Sequence, residues 1–255
     1  MNLIDKRILI TRPRAQAREF AQALITYGAI PIFFPVIEII PPADYSRLDE
    51  VLQDLDRYDW LVLTSIHAVD AVFQRLETIG IQKIPASMHV AAVGSKTARA
   101  LSAHEVTADH VPNQYISEGL FSGLNENIAG KQFLLPQSDL ANHGLADEIR
   151  NAGGFVDEVI AYQNMIASAD PSGLEALRSG VDVIAFTSPS TVRNFIQIVR
   201  ENGLDPFNLP GQPVFACIGP VTKRAAEEAG LGDSIVAKEY TTNGLLELIA
   251  DRVHS

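Results

Sequence analysis

Short apolar runs alternate with amphipathic stretches along this chain. The runs are rich in Val, Ile and Leu and occupy residues 8–11, 30–34, 60–64, 90–93, 133–135, 156–162, 181–187 and 214–218. Runs this short and apolar on both faces predict buried parallel strands. Amphipathic spacing predicts helices over 14–27, 68–79, 97–103, 144–152, 192–201 and 222–229. Gly28, Gly80, Gly153, Gly203 and Gly230 stand just past predicted helix ends, where a left-handed cap suits glycine. Strand-helix alternation predicts an α/β fold with parallel sheets covered on both faces. Pro35, Pro41 and Pro42 punctuate one transition and residues 165–171 a second, as at inter-domain crossings.

The pattern occurs twice. Residues 60–65 (WLVLTS) match 183–188 (VIAFTS), with the Thr-Ser pairs offset by 123 (187 against 64). Residues 90–100 (VAAVGSKTARA) match 215–225 (FACIGPVTKRA) at an offset of 125 (219 against 94). Residues 115–120 (YISEGL) match 240–245 (YTTNGL) at 125 (244 against 119). Weaker pairs precede them: Pro13 with Pro136 and Gly28 with Gly153. Common α/β architecture explains repeated strand-helix order, but not Gly-x-x-Thr-x-Arg-Ala twice at matching positions. The chain is therefore read as a duplication, each copy of about five strands and of flavodoxin-like size. The functional site is expected in a cleft between two domains.

Composition narrows the function. Hydrophobic residues make up 47% of the 255 and charged residues 20%, enough for real cores. The net charge of -11 argues against nucleic-acid or anionic-membrane binding, which need a positive field. Cys217 is the only cysteine, so an intrachain disulfide and a Cys-based zinc site are excluded. Cys217 lies in an apolar strand and reads as a small buried side chain. Charges within residues 1–7 and the lack of a long uncharged run predict a soluble, cytoplasmic protein. No amphipathic stretch is left over for an interface, and a monomer is expected.

The usual fingerprints are missing: no G-x-G-x-x-G, no P-loop and no G-x-S-x-G elbow. His104 and His110 lack a third ligand and read as surface or loop residues rather than metal ligands. What recurs is Ser or Thr at strand-to-helix turns: Ser65 after Thr64, Thr97 after Gly94, Ser188 and Ser190 after Thr187, and Thr222 after Gly219. Ser117 and Thr242 open two more helices. One such residue is most simply an N-cap. A whole set at the carboxyl ends of parallel strands points to an anionic ligand held by helix N–H groups. Thr11 and Arg12 follow the first strand onto the same edge, where Arg12 suits a carboxylate.

Together, residues 10–13 (ITRP), Thr64 with Ser65, Gly94 with Thr97, residues 159–162 (VIAY), 187–190 (TSPS), 218–222 (IGPVT) and 240–246 (YTTNGLL) resemble the uroporphyrinogen-III synthase family over essentially the whole chain. The resemblance implies a discontinuous first domain, 1–37 plus 168–255, and a second, 38–167, joined by two extended strands. It implies a cofactor-free lyase acting on hydroxymethylbilane, a linear tetrapyrrole with acetate and propionate groups on every ring. Loss of the terminal hydroxyl gives an azafulvene. Attack by the substituted carbon of ring D gives a spiro intermediate, and its reclosure inverts ring D to yield uroporphyrinogen III. Left alone, the substrate closes to the uninverted type I isomer. Tyr162 matches the family's tyrosine near the connection, where it would protonate the leaving hydroxyl. Thr222 matches a cleft threonine, and Thr97 is its repeat partner. His67 stands where many relatives carry a basic residue, and Gln137 lies in a segment where relatives often carry arginine. Transient contact with hydroxymethylbilane synthase is a further expectation. The rival reading is a non-enzymatic two-lobed binding protein for a small anionic ligand.

Overall fold

The computed structural model describes residues 3–112 and 128–253. In chain order the elements are β1 (Arg7–Ile10), α1 (Arg14–Thr26), β2 (Ile30–Phe33), β3 (Ile37–Ile40), α2 (Ser46–Gln53), β4 (Trp60–Leu63), α3 (Ile66–Thr78), β5 (His89–Ala92) and α4 (Ser95–Ser102). There follow β6 (Gln132–Ser138), α5 (Gly144–Asn151), β7 (Phe155–Ile166), α6 (Pro171–Ser179), β8 (Val183–Phe186), α7 (Pro189–Glu201), β9 (Val214–Cys217), α8 (Pro220–Glu228), β10 (Ser234–Val236) and α9 (Thr242–Val253). The chain divides into two compact units: Met1–Glu38 with Met165–Ser255, and Ile39–Asn164.

The first unit holds a sheet in the order β10-β9-β8-β1-β2, with these neighbours parallel. Numbered within the unit this is 2-1-3-4-5, the flavodoxin-like doubly wound order. Side chains alternate across it. Leu9, Ile184, Phe186 and Phe215 face α6, α7 and α8 through Leu177, Phe195 and Ala226. Ile8, Ile10, Val183 and Ala185 face α1 and α9 through Phe20, Leu24, Leu245 and Ile249. Burial on both faces is why these strands read as unbroken apolar runs. Cys217 is fully buried here, and burial pushes its thiol up to about 12.

The second unit holds the order β3-β7-β6-β4-β5. Leu61, Leu63, Val90 and Leu134 pack on α2, α3 and α4. Val62, Ala91, Phe133 and Leu135 pack on α5. The duplication is visible strand by strand. Adding 125 turns the register pair Arg7↔Ile30 into Gln132↔Phe155. The pair Ile8↔Val183 corresponds to Phe133↔Trp60. Thus β2-β1-β8-β9 in one unit answers β7-β6-β4-β5 in the other, although β6 and β7 follow their partners in sequence while β1 and β2 precede theirs. Gly28 and Gly153, a repeat pair, share a left-handed φ of 86° after their helices.

The helices after β4, β8 and β9 begin two or three residues before their predicted starts. Ser65 and Ser188 cap α3 and α7, and Pro189 and Pro220 occupy the first turn, where a missing N–H costs nothing. Four elements have no counterpart in the predicted pattern: β3, α2, α6 and β10. Gly173 masks α6, yet Asp170 caps it by accepting from Ser172 N (3.0 Å) and Gly173 N (3.1 Å).

Candidate functional site

Thr11, Arg12, Ser65, Gly94, Ser188 and Gly219 lie within two residues of strand carboxyl ends and Tyr162 lies within β7; each unit is described by itself. In the first unit Thr11 is fully buried. Its hydroxyl donates to the Ala185 carbonyl at 2.7 Å, clasping the end of β1 to β8. Arg12 is half-buried. It donates to Gln16 Oε1 at 3.0 Å, while its buried Nε has no hydrogen-bond partner among the described residues. Burial lowers the guanidinium from the ordinary arginine range, opposed by the charge of Glu19. The strand register, at an offset of 125 rather than the 123 that pairs Pro13 with Pro136, makes Gln137 the repeat counterpart of Arg12. Gln137 donates to Glu158 at 2.8 Å, and Glu158 is also bonded by Arg150 and His143. At this repeat position the first unit therefore carries an arginine and the second a glutamine.

The four helix openings fall into two chemical kinds. Ser65 and Ser188 close theirs with a side chain. Ser188 Oγ accepts from Thr191 N at 3.2 Å, and Thr191 Oγ1 accepts from Ser188 N at 3.2 Å, a capping box. Ser190 Oγ lies 2.8 Å from Ser188 Oγ. Gly94 and Gly219 open α4 and α8 with no side-chain cap. In α8 the first helical bond runs from Lys223 N to Gly219 O at 3.0 Å, and the N–H groups of Val221 and Thr222 lack helical acceptors. Gly94 adopts a left-handed φ of 95°, which a side chain would strain. Gly219 is extended and needs no glycine for its backbone.

The repeat partners Thr97 and Thr222 have diverged in their bonding. Both are buried, 4% and 3% exposed. Thr97 donates to Val93 O at 3.1 Å, whereas no hydrogen bond holds the Thr222 hydroxyl among the described residues. Thr222 thus joins its hydroxyl to an uncapped, positive helix end. On α9 the cap is Thr241, which accepts from Gly244 N at 3.0 Å. Thr242 is half-buried at the first helical position. Ser117 lies outside the described residues.

In the second unit the structure brings Ser65, His67 and Tyr162 together. Ser65 Oγ accepts from Ala68 N at 3.0 Å and lies 3.1 Å from Tyr162 Oη. The His67 ring is 5.8 Å from the Tyr162 ring at 59°. Burial lowers the His67 imidazole, with Asp70 opposing. Burial raises the Tyr162 phenol above its ordinary value, the Ser65 contact pulls it down, and Asp139 raises it. A cavity of about 180 Å³ is lined by His67 and Tyr162 with Tyr45, Asp70 and Arg75.

A β-bulge puts Tyr162 there. Gln137 pairs with Ile160, but the next residue, Ser138, pairs with Tyr162. Strict alternation would send Ala161 and Tyr162 to opposite faces. Instead both pack against the core that carries α3. Asp139 N donates to Tyr162 O at 3.2 Å, and Asn164 fastens the bulge through Asp139 (3.0 Å) and Ser138 (2.7 Å). Sequence reasoning missed Asp139 and Asn164. An irregular polar stretch opposite an apolar strand is the only signal they leave.

His104 is exposed and stacks on Phe73 at 4.3 Å. His110 forms a bridge to Ala91 beside β5, with its Nε2 buried and without a hydrogen-bond partner among the described residues. Among the described residues no helix is long and apolar enough to cross a membrane.

These features define a class: a duplicated, doubly wound α/β protein whose strand ends carry uncapped helix N–H groups, hydroxyls and the half-buried Arg12. The family model for uroporphyrinogen-III synthase HemD matches residues 18–247. A uroporphyrinogen-III synthase from Synechococcus elongatus is 36% identical over 248 residues, covering 96% of this chain and 94% of the relative. The uroporphyrinogen-III synthetase structure from Helicobacter pylori covers 97% of this chain and 99% of its own at 20% identity, with a TM-score of 0.62. A mutant uroporphyrinogen III synthase from Thermus thermophilus covers 98% and 99% at 20% identity, with a TM-score of 0.61; both structures share the fold. The chain belongs to the uroporphyrinogen-III synthase family, and the non-enzymatic binding reading is not favoured.

Proposed function

We propose that this chain closes hydroxymethylbilane to uroporphyrinogen III as a cofactor-free lyase, with loss of water and inversion of ring D. The observation that carries the reading is the family match along nearly the whole chain. The chemistry of the strand ends supports it. The substrate is a polycarboxylate, and the uncapped ends of α4 and α8, with the Thr222 hydroxyl and Arg12, are suited to carboxylates despite a net charge of -11. Ser188 caps α7, and Ser190, His67 and Thr242 stand in the first turns of α7, α3 and α9, each of which follows a strand end. Ring closure needs chiefly a held conformation, which positioning supplies. Tyr162 is the proton donor. At neutral pH it is protonated, the more so because burial raises it. Its proton passes to the leaving hydroxyl, the C–O bond breaks with its electron pair going to oxygen, and water departs. The ring carbon that closes the macrocycle later loses its C–H proton, which restores the phenol.

Product analysis tests the function. Hydroxymethylbilane is generated in situ, the protein is added, and the oxidised uroporphyrins are separated. Predominantly type III is expected. Type I alone, from folded protein, would remove the assignment.

Arg12→Gln tests the carboxylate contact. A hydrogen bond to a charged group contributes about 1.5–3 kcal/mol. KM is expected to rise roughly tenfold or more with kcat nearly unchanged, the sign of lost ground-state binding. An unchanged KM in steady-state assays would leave Arg12 a structural residue.

A further inference from the structure

We infer that Ser65 is a positioning residue that donates its proton to Tyr162 Oη, so that the tyrosine proton points to the leaving group. The inference rests on the acid role of Tyr162 and goes one step deeper.

A serine hydroxyl has one proton and two lone pairs. Ser65 Oγ already accepts from Ala68 N at 3.0 Å. The 3.1 Å contact with Tyr162 Oη can run in either direction. Donation by Tyr162 would place the phenol proton in the protein and deny it to substrate. Donation by Ser65 builds a chain in one sense: Ala68 N–H to Ser65 Oγ, Ser65 O–H to Tyr162 Oη, and Tyr162 O–H outward. Each link polarises the next. The chain starts at the N-terminus of α3, where the positive helix end favours charge developing on the phenol oxygen.

The charge that develops is defined by the reaction. When the Tyr162 O–H bond breaks and the proton joins the departing oxygen, the phenolate is left one hydrogen bond from Ser65. The proton lost at ring closure refills it, so the enzyme ends as it began. The direction of the Ser65 effect on Tyr162 agrees, since this contact lowers the phenol while burial and Asp139 raise it. The other charged or titratable groups around Tyr162 are His67 on α3, Asp139 after β6, and Asp70, Tyr45 and Arg75, which share the small cavity with it. Arg75 is held by Asp49 through Nε at 2.5 Å.

Three variants separate donation from capping. Ser65→Thr keeps both cap and proton and is expected to keep kcat within about threefold. Ser65→Asp keeps the cap but accepts only, so Tyr162 must turn its proton inward. Its melting temperature is expected to stay near the parent's while kcat falls at least tenfold and KM moves little. Ser65→Ala in a Tyr162→Phe background is expected to add no further loss of kcat. Full activity of Ser65→Asp, or a loss from Ser65→Ala that persists undiminished without the phenol, would overturn the positioning role. Parent-like activity of Tyr162→Phe is a different result: it would remove the acid role itself.

Discussion

Replacing Tyr162 by Phe is expected to lower the kcat for type III product by roughly 10²–10⁴-fold, the usual contribution of a positioned general acid. Phe deletes one hydroxyl and keeps the ring. The packing against His67 and the α3-side core survives, and Ser65 still caps α3 through Ala68 N. KM should change little, because the phenol acts on the leaving group rather than on the carboxylates. Unconverted hydroxymethylbilane then closes by itself, and the type I fraction rises. The pH profile carries a second signature. A donor works in its protonated form, and the folded phenol lies above its ordinary value of about 10. The parent's kcat should therefore be independent of this group through neutral pH and fall only on an alkaline limb above about 10. That limb should vanish in the Phe variant. A parent-like ratio of type III to type I in Tyr162→Phe would return Tyr162 to packing.

Gly244→Ala is expected to destabilise the first unit by about 2 kcal/mol. A Cβ at Gly244 would lie 2.2 Å from the carbonyl oxygen of Glu239 and 2.9 Å from its Cβ. The first of these is backbone and cannot rotate away. Either α9 or the segment before it must shift, although Leu245 and Ile249 anchor α9 in the core. Overpacking of this kind costs about 1–3 kcal/mol. Alanine recovers up to about 1 kcal/mol of helix propensity, so the clash decides the sign. For a chain of this size a loss of that order lowers a melting midpoint by several degrees. A calorimetric scan checks it, and a midpoint equal to or above the parent's would show that propensity wins. The glycine of the YTTNGLL segment thus has a packing reason, separate from any ligand.

The helix openings show how legible the site was. From sequence, Ser65 and Ser188 are helix openers with a choice between capping and binding. Capping is local, involving a hydroxyl and an N–H three residues on, and the structure shows it in both. The difference between Thr97 and Thr222 was not legible. The two occupy matching positions in matching motifs, and only the surrounding backbone settles where each hydroxyl turns. Arg12 could be placed on an edge from its sequence position, but its unpartnered Nε depends on atoms brought in from elsewhere in the fold.

Strand and helix periodicity, the duplication and the α/β class followed from sequence alone, because they rest on near neighbours and on spacing. Which copy pairs with which did not. β1 and β6 are repeats, as are β4 and β8, so the apolar pattern suits either partner equally. The sheet places β1 beside β8 and β6 beside β4, a decision of tertiary pairing. The bulge at Ser138 is of the same kind. It brings Tyr162 to Ser65 against the strand's alternation, because polar bonds from Asp139 and Asn164 hold the backbone where periodicity would turn it away.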